Sequence, residues 1–108
     1  MKARWISIST ATLVILVTTP ALADEALAQT NGCLECHQPA TKNIGPSLQD
    51  IAARYKNNSG ARATLIEKVK KGGKGNWTEI TGGVLMPPYS PRISDADIAI
   101  LVDWMLSH

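Results

Sequence analysis

Cys33-Leu34-Glu35-Cys36-His37 decides the reading of this 108-residue chain. Two thiols three residues apart face the same way on a helical turn, and the residue after the second projects an imidazole from the end of that turn. C-x-x-C-H in this order reads as an attachment site for a c-type haem. Each thiol adds to one vinyl group of a porphyrin lying across the turn, and His37 is placed to bind the iron. Covalent attachment keeps such a cofactor from dissociating and fixes the ligand relative to the metal.

Three other readings of the pair are weaker. A structural zinc site takes four ligands, and residues 24–108 offer only Cys33, Cys36, His37 and His108, two of them adjacent. A thioredoxin-like pair belongs in a βαβ setting, for which there is no pattern here. A Cys33–Cys36 disulfide closes a tiny loop and stabilises little.

Iron held by one imidazole has a second axial position, and its occupant separates electron transfer from oxygen or peroxide chemistry. The candidates are Met86, Met105 and His108. Met105 falls on the apolar stripe of a helix, where core packing is its natural role. His108 ends the chain, where order is poorest. Met86 lies in an irregular stretch stiffened by Pro87 and Pro88. A methionine that fills a core gap is the plain alternative for it; ligation is favoured because His/Met is an established axial pair. A neutral thioether favours ferrous iron and raises the potential. It also leaves no open site for a substrate, so an electron carrier is expected rather than an enzyme. A haem enzyme or gas sensor with a labile or absent sixth ligand is the competing reading.

Upstream, Met1-Lys2-Ala3-Arg4 is a short positive start, followed by an apolar run densest at Leu13-Val14-Ile15-Leu16-Val17. Pro20 and then Ala21-Leu22-Ala23 offer small residues at −3 and −1 of a cut before Asp24. That order marks residues 1–23 as a secretory signal peptide and residues 24–108 as the mature domain. An uncleaved anchor is disfavoured: residues 5–23 scarcely span about 30 Å of hydrocarbon, and Ser7, Ser9, Thr10 and Thr12 weaken the run. Export to a bacterial periplasm, and a soluble product after cleavage, are expected.

The charge agrees with that division. The net +2 of the whole chain comes entirely from Lys2 and Arg4; residues 24–108 hold nine basic and nine acidic side chains. A nucleic-acid binder would show a net basic domain, so none is expected. With two cysteines a multi-bridge scaffold is excluded. A mature chain this short, without Phe, needs help from a cofactor or cross-link to be stable.

Apolar/polar alternation is missing, so an all-α fold is expected. Helices are placed at about 24–31, 47–55 and 61–71, with a last helix after Ser94. Ser94 is its N-cap, with Asp97 three residues on and Ile93 and Ile98 in the staple positions. Gly32 ends the first helix, and Gly72, Gly73 and Gly75 stop the third. The long stretch 72–92 must be held down by something. Its lysine-glycine run 70–75 lacks the phosphate-loop order and reads as a helix end.

Taken together, Gly32 to His37, Asn43-Ile44-Gly45-Pro46, Trp77, Met86-Pro87-Pro88, and Ile93 to Asp97 running on to Trp104-Met105-Leu106 resemble the small bacterial class I cytochromes c of the c-551 type. The resemblance covers essentially all of residues 24–108. It implies about four helices wrapped around one covalently bound haem c on Cys33 and Cys36, with His37 and Met86 as metal ligands. It implies that the Pro46 carbonyl accepts from the second nitrogen of His37, and that Trp77 and Lys68 face the haem propionates. The first and last helices are expected to cross near Gly32 and Trp104, with glycine permitting close approach. Redox proteins are the implied partners: a membrane cytochrome complex as donor, and a terminal oxidase, nitrite reductase or peroxidase as acceptor. Two departures stand out. The aromatic common before the first cysteine is replaced near Ala28, and 78–85 is about four residues longer than in such relatives.

Charge is uneven along the chain. Residues 54–74 hold seven cations against Glu67, while 75–108 hold Glu79, Asp95, Asp97 and Asp103 against Arg92. A dipole that steers partners is the expectation from that asymmetry. Exposed Ile44, Val84 and Pro88 around a haem edge are the expected docking patch.

Overall fold

Two serines start the helices that frame the core. Ser47 Oγ accepts from the Asp50 N–H at 3.1 Å, and Ser94 Oγ accepts from the Asp97 N–H at 3.2 Å. Each satisfies one of the donors that a helix N-terminus leaves unpaired. The computed structural model describes residues 1–16 and 20–108. Its elements are α1 (Pro20–Thr30), α2 (Cys33–Cys36), α3 (Leu48–Arg54), α4 (Ala61–Lys71), α5 (Thr78–Thr81) and α6 (Asp95–Leu106). No strand occurs among the described residues, and only two isolated bridges, His37–Lys42 and Gly73–Met86, pair extended backbone.

Helix α6 is the hub, packing on α1, α3 and α4. Its face Ile98, Leu101, Val102 and Met105 is buried, with Ile98 at 0% and Val102 at 1% exposure. Full burial of one such side chain is worth about 1.5–3 kcal/mol. Leu48 and Ile51 of α3, Ala61 and Leu65 of α4, and Tyr89 and Ile93 ahead of α6 complete the core.

Several expectations need correction. The four expected helices are present as α1, α3, α4 and α6, and the C-x-x-C turn (α2) and 78–81 (α5) add two single helical turns. Helix α1 begins at Pro20, not near Asp24, and so runs through the Ala21-Leu22-Ala23 segment. Within the leader reading, Val17, Thr18 and Thr19 lie outside the described residues; residues 1–16 carry no helix or strand and are exposed. Gly32 does not serve a close approach of helices: a Cβ there would meet only the Glu35 side chain, at 3.7 Å. Its φ of 75° is the reason for glycine. The close packing of α1 is made at Ala28, which is wholly buried.

Two ion pairs join the basic and the acidic stretches in space. Because α4 lies against α6, Arg62 binds both oxygens of Asp103, at 2.7 and 3.1 Å. Lys70 reaches Asp95 at 3.5 Å, and Lys71 pairs with Glu67 at 3.0 Å. The two segments are side by side rather than at opposite poles.

Hydrogen bonds to the end of α4 hold down the long stretch after it. The Tyr89 N–H donates to the Val69 carbonyl at 3.1 Å, and the Ser90 N–H to the Lys70 carbonyl at 3.2 Å. These are carbonyls that the last turn of a helix leaves without partners. No helix among the described residues is long and apolar enough to cross a membrane.

Candidate functional site

The turn of α2 is braced by the loop that follows it. Asn43 Nδ2 donates to the Glu35 carbonyl at 2.7 Å, and the Gly45 N–H donates to the Cys36 carbonyl at 2.9 Å. Both carbonyls belong to the turn that carries the thiols. The same loop brings Pro46 under the imidazole, where His37 Nδ1 and the Pro46 carbonyl are 2.9 Å apart. With the proton on Nδ1, this bond fixes the ring and leaves Nε2 as the free lone pair. Gly45 lies against the same ring.

Met86 is strapped to the end of α4. The Gly73 N–H donates to the Met86 carbonyl at 2.8 Å, and the Met86 N–H donates back to Gly73 at 3.2 Å. The two chains approach so closely because Gly72, at φ 65° and ψ −150°, turns its bare Cα toward the backbone of Pro87 and Pro88.

Between turn and strap lies a cavity of about 300 Å³, walled almost entirely by apolar surface. Cys33, Cys36, His37, Pro46, Lys68, Trp77 and Met86 all border it. So do Leu65 and Val69 of α4, and Leu101 and Met105 of α6. Of the other candidates for the second axial position, Met105 is a core residue at 9% exposure. His108 is exposed on the far side, its ring edge-on to Trp104. Trp77 is half-buried, with the Arg54 guanidinium stacked on it at 4.4 Å. Lys68 is half-buried, and its side chain runs beside Gly73 and Gly75.

Both cysteines are free. Burial pushes the Cys33 thiol above its ordinary range. Two thiols on one turn, a tethered imidazole, a thioether from a separate strap and dry walls between them fit a haem attached through Cys33 and Cys36. They do not resemble a zinc site, since no cluster of three or more His, Cys, Asp or Glu occurs among the described residues.

Sequence reasoning did not foresee the contacts by which four residues shape this site. Gly45 faces the imidazole, Asn43 ties the thiol turn, Gly72 admits the methionine strap, and Arg54 covers Trp77. The glycine immediately before Pro46 was a usable signal for the first. Nothing in local spacing points to Arg54, whose hydrogen-bond partner is 22 residues away.

Residues 25–108 match the protein family described as cytochrome c. The chain is 42% identical over 107 residues to cytochrome c-552 of Nitrosomonas europaea, covering 99% of this chain and 98% of that one. It is 48% identical over 81 residues to cytochrome c2 of Rubrivivax gelatinosus, covering 74% of this chain and 91% of that one. The crystal structure of wild-type Nitrosomonas europaea cytochrome c552 matches the fold with a TM-score of 0.68 at 43% identity, over 77% of this chain and 96% of that chain.

Proposed function

The chain belongs to the cytochrome c family, and on that premise we propose that it is a periplasmic carrier, passing single electrons between larger redox proteins through iron ligated by His37 and Met86. Membership makes it a haem-based electron carrier with one covalently attached haem c. That group supplies a ferric/ferrous couple. The observation that carries the ligand assignment is that His37 and Met86 border one apolar cavity while each is held by backbone hydrogen bonds of its own.

The work of the chain's own residues follows from their fixation. The Pro46 carbonyl holds the His37 proton on Nδ1 and keeps the ring from turning. The Gly73–Met86 bridge anchors the backbone of Met86, whose residue borders the same cavity as His37. Leu65, Val69 and Leu101 exclude water between them, which keeps the dielectric low and favours the less charged reduced state. With both ligands fixed, a change of oxidation state needs little movement. Lys68 and Trp77 border the same cavity, and we assign their N–H groups to the haem propionates.

Ile44, Val84, Leu85 and Pro88 are exposed; Ile44, Val84 and Leu85 border the cavity as well. They form the proposed docking patch, of the small and transient kind that redox encounters use. Residues 1–23 are assigned as a cleaved leader; the family match begins at residue 25, next to the proposed new terminus Asp24. Partners of the membrane cytochrome complex, oxidase, nitrite reductase or peroxidase classes remain part of this proposal.

Export of the full chain into a periplasm tests the reading. One haem per chain by pyridine haemochrome, a low-spin spectrum in both oxidation states, and a mass starting at Asp24 are expected. A folded, colourless product overturns it.

A further inference from the structure

We infer that Arg54 is the positioning residue for Trp77, and that through it α3 fixes the wall of the cavity on the side of the longer 74–85 segment. The inference rests on the haem reading for its redox consequence alone.

The argument starts from how 74–85 is held. Its ends are joined by the Gly73–Met86 bridge. Inside it, the Ile80 and Thr81 N–H groups both donate to the Trp77 carbonyl at 2.9 Å, Gly82 to Thr78, and Val84 to Thr81. All of these are internal. Among the described residues the only hydrogen bond between 74–85 and the rest of the protein runs from Arg54 Nη1 to the Asn76 carbonyl, at 3.0 Å.

The same guanidinium lies 4.4 Å from the centroid of the Trp77 ring. The guanidinium thus donates to the Asn76 carbonyl and lies over the Trp77 ring at once. Arg54 is in the last turn of α3 and joins no ion pair among the described residues. Its contacts are therefore spent on 76–77. Beyond Trp77 the segment offers little else to anchor it: α5 has no buried residue, and Val84 and Leu85 are exposed. Gly82 and Gly83 both have positive φ and open space around them.

Without Arg54 the Asn76-Trp77 turn loses its tie to α3, and the indole no longer stays against the cavity. Water then reaches that edge, which favours the more charged oxidised state and lowers the potential. A direct charge effect of Arg54 would also lower it, but salt would screen that. The effect through Trp77 would remain.

The test is a double-mutant cycle on the haem-loaded protein with Arg54→Ala, Arg54→Lys and Trp77→Ala. Arg54→Ala is expected to speed amide exchange at Ile80, Thr81 and Gly82 by about tenfold, the combined worth of one hydrogen bond and one exposed cation–π contact. It should move the Trp77 indole resonance and lower the midpoint potential at both low and high salt. Arg54→Lys keeps the charge and loses the planar face, so it should fall between. In the Trp77→Ala background at high salt, where the direct charge effect is screened, removing Arg54 should shift the potential no further. Unchanged exchange and potential in Arg54→Ala overturn the inference. So does a shift that salt abolishes, or one of equal size without Trp77. A colourless parent protein would instead overturn the haem reading, and the parent spectrum, recorded first, separates the two failures.

Discussion

Gly45 lies hard against the His37 imidazole: a Cβ at Gly45 would stand 2.7 Å from Cε1 and 3.0 Å from Nδ1 of that ring. The ring cannot retreat without giving up the Pro46 carbonyl, which is the next residue in the chain. Even alanine must therefore displace either the ligand or its tether. Gly45→Ala is expected to cost about 1–3 kcal/mol, the range for overpacking a fixed site. Urea denaturation of the haem-loaded protein measures this. Gly60→Ala is the control: its Cβ would meet only Asn58 Oδ1 at 3.6 Å, so its midpoint should move little.

Gly72 presents the same problem in a harsher form. Its φ of 65° and ψ of −150° fall in a region essentially reserved for glycine. A Cβ would also collide with the Met86 carbonyl oxygen and stand 2.7 Å from Pro87 C and Pro88 N. These are backbone atoms with no rotamer to change. Gly72→Ala should therefore pull the methionine strap away from α4. A thermal scan should show the long-wavelength ferric band of a bound thioether lost well below global unfolding, whereas the parent loses both together.

These two glycines mark where reading by sequence stops. Helix α4 is legible because Gly72 ends a clear apolar stripe, α3 because its apolar residues recur at helical spacing, and α6 because Ser94 is an unambiguous cap. The thiol turn is legible in motif order alone. Helix α5 was hidden, since Thr78, Ile80 and Thr81 are poor helix formers and Trp77 offers no side-chain cap. The start of α1 is obscured because Ala21-Leu22-Ala23 read as a cleavage site and are also good helix formers. Gly45, Arg54 and the Arg62–Asp103 pair act between segments far apart in sequence. No periodicity records such contacts, and only the docking of the helices creates them.

Arg62 and Asp103 join α4 to α6, and the pair sets a pH dependence. Hydrogen bonding to the guanidinium holds the Asp103 carboxyl below the ordinary carboxylate range. A carboxyl with a lower pKa folded than unfolded adds stability above its unfolded value and loses it as pH falls through the folded one. Glu67, lowered chiefly by Lys71, acts in the same direction. Both carboxylates are about half exposed, so the effect is modest and screened by salt. Asp103→Asn should flatten the acid limb of a stability-against-pH curve at low ionic strength and change little at high salt. An unaltered acid limb would show that the pair is silent in solution.

Met86 is attached by its backbone, not its side chain, and this separates its two roles. The bridge to Gly73 uses only the Met86 N–H and carbonyl, so Met86→Ala leaves the strap in place. The haem, attached through Cys33 and Cys36, should remain. Because the side chain is only partly buried, the stability loss should sit at or below the low end of the roughly 2–5 kcal/mol for buried Met→Ala. The thioether, by contrast, is wholly lost. The variant should stay red, lose the long-wavelength ferric band, show a lower potential, and bind added cyanide or carbon monoxide at once. Met105 provides the comparison, since it borders the same cavity from the core face of α6. Met105→Leu conserves volume and should cost less than about 1.5 kcal/mol with the band intact. If Met105→Leu abolished the band while Met86→Ala kept it, the ligand would have to come from α6. The strap over Gly72 would then serve packing alone.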